Sequence, residues 1–271
     1  MVSQSRVWDP NDLAALLVTA FPLVVGLLRL SKYLIIKLLL TGSLALYLLG
    51  IVATQSRGGL IGLLAIGACY TFRANKRIVA LFLVGIVVVT MYAILPQAPL
   101  ERITNISISE RKRGDSTDER IELWKSGLRM AKDHPLFGVG VECFPMALGT
   151  AYNLPHNPRK WATAHNSFIL ILAEVGVPAF LCYLGIYYLN LKDIKIIRRR
   201  LAKGYIKPEV KREISILSNA FEISLVGFAV TAFFLSHTYE LDMFLIMALI
   251  IVLRRITERL TYNNQPQVGI D

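Results

Sequence analysis

The sequence predicts an all-α integral membrane protein with about seven transmembrane helices and one large, partly helical outer (periplasmic) loop. Three observations predict this class. Hydrophobic types make up 54% of the 271 residues and charged types only 18%. The apolar residues fall in blocks near the length a helix needs to cross a hydrocarbon core ~30 Å thick. The short connectors between blocks alternate between basic and nearly uncharged.

The blocks cover 13–28, 34–53, 59–72, 78–95, 166–189, 219–236 and 241–253. The third and last are short, and the fifth contains Glu174 and Pro178. Interruptions such as Pro22 and Gly176 are tolerable where neighbouring helices cover the freed backbone groups. The chain therefore divides into residues 1–95 with the first four spans and a periplasmic loop over 96–165. Residues 166–271 hold the last three spans and a basic cytoplasmic loop near 190–213.

Orientation follows from where the basic residues sit. Arg29, Lys32 and Lys37 flank the first connector, and Arg73, Lys76 and Arg77 fill the third. Nine basic residues lie between Lys192 and Arg212, and Arg254, Arg255 and Arg259 follow the last span. The connectors at 55–58 and 237–240 carry only Arg57 between them. The positive-inside rule places the N-terminus outside and the C-terminus in the cytoplasm. The formal charge of +11 is thereby spent on topology. That argues against nucleic acid as a partner, and Arg198–Arg200 reads as a juxtamembrane anchor near anionic lipid.

Cys69, Cys143 and Cys182 have no metal-type spacing and imply no disulfide framework. No phosphate-binding glycine loop, nucleophile elbow or His-Glu-x-x-His helix is present. Paired acidic residues placed to hold a metal are lacking on the outer side, so the chemistry expected here uses neither metal nor cofactor.

The large loop settles into a helical pattern after a charged stretch at 111–115. Asp118 is placed to cap a helix with Ile121, Trp124, Leu128 and Ala131 on one face. Arg120 and Trp124 lie on its neighbouring turns. Asp133-His134-Pro135 should end it, because the residue before a proline avoids the helical conformation. Leu136-Phe137-Gly138-Val139-Gly140 then reads as a turn with two flexible points, and the whole loop as an ordered unit lying on the membrane.

Five outer-side features carry candidate chemistry. Arg57, in Ser56-Arg57-Gly58-Gly59, has the ordinary explanation of a charge snorkelling at a span end. Its guanidinium also suits a diphosphate, and the glycines allow close approach of a ligand. His165, in Ala164-His165-Asn166-Ser167, is either a hydrated interfacial histidine or a group for proton transfer or phosphate contact. Glu174 is a carboxylate inside a span, a placement that points to function or to pairing with an arginine such as Arg57. His237 and Glu240 read first as a solvated loop. His134 and His156 read as structural loop residues.

In this order, Ser56-Arg57-Gly58-Gly59, Arg120-x-x-x-Trp124, Asp133-His134-Pro135-Leu136-Phe137-Gly138-Val139-Gly140, Ala164-His165-Asn166-Ser167 and Ala173-Glu174-Val175-Gly176 resemble the O-antigen ligase and polymerase superfamily. That superfamily also includes oligosaccharyltransferases that glycosylate proteins. The resemblance covers roughly residues 40 to 190. Asp9-Pro10-Asn11-Asp12 is similar to a subgroup found with exopolysaccharide systems. Family members usually carry further helices upstream, so the chain resembles a C-terminal portion.

The resemblance implies a metal-independent glycosyltransferase of the bacterial cytoplasmic (inner) membrane. Its donor would be an undecaprenyl diphosphate-linked glycan and its acceptor a hydroxyl on a lipid or glycan, as in lipopolysaccharide or exopolysaccharide biosynthesis. Carried onto this sequence, Arg57 and His165 would be catalytic, Arg57 holding the donor diphosphate with Arg120 assisting. His165 would activate the acceptor hydroxyl or stabilise the leaving phosphate. Asn166, Trp124, Glu174 and His237 would join Arg120 in binding substrate. The competing readings are a transporter or flippase for a lipid or small solute, and a truncated, non-catalytic remnant.

Overall fold

A computed structural model describes residues 9–74, 85, 117–154, 161–204 and 206–263. Apart from Gly85, the expected span over 78–95 lies outside these residues, as do the loop residues 96–116 and His156. The described chain is helical throughout, with no strand. It comprises α1 (Pro10–Leu30), α2 (Leu34–Ala53), α3 (Arg57–Ala74), α4 (Thr117–Asp133), α5 (Phe144–Thr150), α6 (Ser167–Lys203), α7 (Pro208–Phe234) and α8 (Leu241–Asn263).

Four of these, α1, α2, α6 and α7, are long and apolar enough to cross a membrane. The expected boundaries hold closely for α2, and most other helices run past them. Residues 192–212, expected as a connector, are largely the last turns of α6 and the first of α7. Lys and Arg are good helix formers, so the helices continue beyond the apolar stretch. Asp118, expected at the cap, lies within α4, which begins at Thr117. The helix does end at Asp133, ahead of Pro135.

α7 is the central helix, packed against α1, α3, α6 and α8. Small residues permit the close crossings, as is common between membrane helices. A Cβ on Gly26 would meet Ala220 at 3.0 Å, and one on Gly62 would meet Thr231 at 2.4 Å. One apolar core joins α6, α7 and α8 through Tyr183, Phe221, Phe228 and Met247. A second joins α1, α2 and α3 through Val18, Ile51 and Leu63. α2 buries only Ile51 and exposes Leu34, Leu38, Leu39, Leu46 and Leu49. A helix of that composition has its solvent in hydrocarbon.

α6 is bent sharply at Gly176, whose backbone leaves the helix (φ 83°, ψ 178°). In a straight helix Phe168 and Tyr183 would lie ~22 Å apart along the axis, yet their rings meet edge to face at 6.2 Å. Beyond the bend α6 runs antiparallel to α7, with the Tyr187 hydroxyl on Leu225 O at 2.6 Å. Before the bend it lies across the end of the bundle, where Ser167 Oγ donates to Leu235 O at 2.8 Å. α4 and α5 pack on this crossing segment in a third core that includes Leu123, Met130, Phe144 and Leu170.

The bundle has two unlike ends. At one, Arg73 and Arg198 both bind Glu222, and Arg254 binds Asp193. At the other lie the start of α1, residues 54–57, residues 161–167 and the 235–240 connector. The described residues flanking the expected 78–95 span reach opposite ends, Arg73 on Glu222 and Arg120 on the carbonyl of Phe234.

Candidate functional site

The connector after α7 gathers the sequence motifs. Gly58 packs against Phe234 and Leu235, where a Cβ would meet side-chain atoms at 3.0–3.1 Å. A Cβ on Gly59 would strike Ala14 at 2.7 Å. These two glycines therefore serve helix packing, which corrects the expectation that they admit a ligand. Ser56 Oγ accepts the Gly59 N–H at 3.2 Å and donates to Asn11 Oδ1 at 2.8 Å, tying the start of α3 to α1. Arg57, at the first position of α3, stays exposed.

Arg120 reaches the same place from α4, its Nη1 3.4 Å from the carbonyl of Phe234. A cation there complements the partial negative charge at the C-terminus of α7. Trp124, one turn on, donates Nε1–H to Ala164 O at 2.9 Å and packs edge to face on Phe233 at 5.5 Å. Arg120 and Trp124 thus act together as the foot that seats α4 on the bundle.

His165 has a left-handed backbone (φ 47°). Such a conformation in a residue other than glycine costs of order 1–3 kcal/mol and tends to accompany function. Its N–H donates to Ser236 Oγ at 2.9 Å, and that hydroxyl donates onward to Thr163 Oγ1 at 2.9 Å. The side chain is half-buried. Asn166, beside it, is 1% exposed and caps α6, its Oδ1 accepting from Phe168 N and Ile169 N at 3.0 and 3.1 Å. Its Oδ1 is thereby committed to the helix start.

His237 differs from expectation in burial. It is 3% exposed, in a segment expected to be a solvated loop. Its N–H donates to Ser167 Oγ at 2.7 Å, and Thr238 Oγ1 donates to Ser167 O at 3.1 Å. Nδ1 faces Asp12 Oδ1 at 3.3 Å and Nε2 faces both Asp242 oxygens at 3.2 Å. Two carboxylates on one imidazole require both nitrogens to donate, so the ring is an imidazolium. Burial alone would lower its pKa, but the hydrogen bonds to Asp12 and Asp242, with their charges, raise it to about 9. His237 therefore joins α1 to α8. Beside it an open cavity of about 370 Å³ carries Asp9, Asp12, Glu240 and Asp242 above Leu13 and Leu16. Four carboxylates against the one imidazolium of His237 make this cavity unfavourable for an anion.

Glu174 is 2% exposed and engaged on both oxygens. Oε1 accepts Phe144 N–H at 3.1 Å, at the start of α5, and Oε2 accepts the Tyr239 hydroxyl at 2.7 Å. It binds the loop unit to the connector, and neither bond involves the expected arginine.

The turn after α4 explains the break beside Glu174. Val139 N and Gly140 N donate to Ala173 O and Glu174 O, and Val177 N donates to Pro135 O, all at 2.8–2.9 Å. Backbone groups freed at the bend are thus satisfied by residues 135–140. A Cβ on Gly138 would lie 2.3 Å from the Glu174 carbonyl carbon, and one on Gly176 would lie 2.6 Å from Leu136 C. Of the two points expected to be flexible, Gly138 is packed against the Glu174 backbone and Gly140 is tied to it by its N–H. His134 is exposed.

Residues 234–236 thus meet Gly58 next to Arg57, the Arg120 guanidinium and the backbone of His165 at one end of the bundle. Trp124, Asn166, Glu174 and His237 each make hydrogen bonds that join or cap elements at this end. Sequence reasoning missed Ser236 and Tyr239, whose only signal was a run of polar residues between two apolar blocks. A family model described as O-antigen ligase matches residues 42–184, just over half of the chain. The match includes Arg57, Arg120 and His165 and stops short of the 235–240 connector. No curated protein matches the chain.

Proposed function

The chain belongs to the O-antigen ligase family, and we propose that it moves a glycan from undecaprenyl diphosphate to an acceptor hydroxyl at the outer face of a bacterial inner membrane. The observation that carries this reading is that Gly58 beside Arg57, the Arg120 guanidinium and the His165 backbone N–H all meet residues 234–236. The opposite end carries the basic network of Arg73, Arg198 and Arg254. By the positive-inside rule that basic end is cytoplasmic, with the N-terminus outside and about seven spans once 78–95 is counted.

In the proposed reaction the acceptor oxygen attacks the anomeric carbon. The bond from that carbon to the diphosphate oxygen breaks, and undecaprenyl diphosphate leaves with the electron pair. The acceptor proton passes to His165, whose imidazole can act as the general base. Arg57, with Arg120, offsets charge developing on the diphosphate. A diphosphate leaves readily, so neither ATP nor a metal is required for this step. The acceptor is a lipid in a ligase and a growing glycan in a polymerase. Glu174, Asn166, Trp124 and His237 are assigned to positioning.

A broken helix such as α6 also occurs in transporters, whose breaks lie near the bilayer midplane. Here the break is level with the end of α7, which favours chemistry at the membrane surface. The deciding experiment measures consumption of lipid-linked glycan by the full chain in proteoliposomes. Arg57→Ala and His165→Ala should each lower turnover at least a hundredfold while the protein elutes as folded. Unchanged turnover in both variants would end the proposal.

A further inference from the structure

Leu136 and Phe137 are 63% and 84% exposed in a turn whose backbone cannot turn them inward. Pro135 O holds Val177 N at 2.8 Å on one side of the pair. On the other side Gly138 lies so close to Glu174 that a Cβ would sit 2.4 Å from its carbonyl oxygen. Turn positions ordinarily favour polar residues, so two large apolar side chains held outward need an apolar surrounding.

The neighbouring surface identifies that surrounding. Val177, bonded to Pro135, begins the part of α6 that runs along α7. Leu181 and Leu184 follow it at helical spacing, and all three are exposed. On a membrane-crossing helix such a stripe faces hydrocarbon. From Tyr187, paired with Leu225, the rise to Val177 is ~15 Å and that from Leu225 to the end of α7 is ~13 Å. Val177 therefore stands at the level where α7 leaves the membrane, and Leu136 and Phe137 extend the stripe at its upper edge. Lys132, Asp133 and His134, just before the pair, are exposed and polar. Apolar residues beside polar ones are the composition of an interfacial anchor.

We infer that Leu136 and Phe137 form a wedge inserted into the outer-leaflet hydrocarbon, fastening the α4–α5 unit to the bilayer through the bend at Gly176. The inference rests on the membrane-spanning fold and is independent of glycan transfer.

The test uses the unmodified full chain in nanodiscs containing a phospholipid with a diazirine near the headgroup end of its acyl chain. After irradiation, modification is mapped by mass spectrometry. Leu136 or Phe137 should be labelled along with Leu181 and Leu184. Labelling of Leu181 and Leu184 with residues 133–140 untouched overturns the inference. In a second measurement Phe137→Trp adds emission beyond that of the native tryptophans. Brominated phospholipid should quench the added emission at least twofold, and aqueous iodide should not. Quenching by iodide alone places the turn in water. Protection from both quenchers places it under protein, and either result overturns the wedge.

Discussion

The backbone N–H of His165 donates to Ser236 Oγ at 2.9 Å, across 71 residues of sequence. This bond holds a left-handed histidine at the mouth of the 235–240 connector. Ser236→Ala should lower kcat for donor consumption about tenfold, the equivalent of one hydrogen bond, with little change in KM. Ser236→Thr, which keeps the hydroxyl, should restore most of the rate. An equal loss in both variants would remove the hydroxyl from the account.

Gly138 and Gly176 should be the least replaceable glycines. Each has a positive φ, and an added Cβ at either would press on backbone atoms within 2.6 Å. Gly138→Ala and Gly176→Ala should each destabilise by about 3 kcal/mol or more, from backbone strain and overlap combined. Gly42→Ala, in open space on α2, should be neutral. Thermal unfolding in detergent compares the three directly.

Glu174 should matter through its two acceptor oxygens. Glu174→Ala leaves Phe144 N–H and the Tyr239 hydroxyl without this partner, at about 1–3 kcal/mol for the buried N–H and less for the half-buried hydroxyl. Glu174→Gln retains an acceptor and should cost less than half as much. A larger loss of activity than of stability in Glu174→Gln would indicate a direct role for its charge.

The His237 imidazolium makes stability depend on pH. Its folded pKa of about 9 lies above the ordinary 6.5. The contribution is therefore fully present below pH 6.5 and is lost as pH rises through about 9. The amount is on the order of 3 kcal/mol. The melting temperature should fall between these values, and His237→Gln should flatten the decline. An unchanged slope in His237→Gln would assign the pH dependence to other groups.

Most of the helices are legible along the chain because their causes are local. α2 coincides with the apolar run over 34–53, and α4 stops ahead of Pro135. Asn166 has the side chain of an N-cap and acts as one. The roles of Glu174 and His237 are not legible in this way. Each is polar beside an apolar block, and each is buried by partners distant in sequence: Tyr239 for the first, Asp12 and Asp242 for the second. The glycines of the Ser56–Gly59 motif are likewise explained by Ala14, Phe234 and Leu235.

By itself the sequence determined the membrane class, the alternation of basic and neutral connectors, and the motifs that place the chain in its family. These depend on transfer of side chains between water and hydrocarbon, which adds residue by residue. The tertiary structure alone decided that α6 folds over at Gly176, that the 135–140 turn satisfies the backbone freed there, and that the 235–240 connector organises the site. Each of those requires two distant backbones to meet within hydrogen-bond reach, a condition set by the packing of α1, α7 and α8.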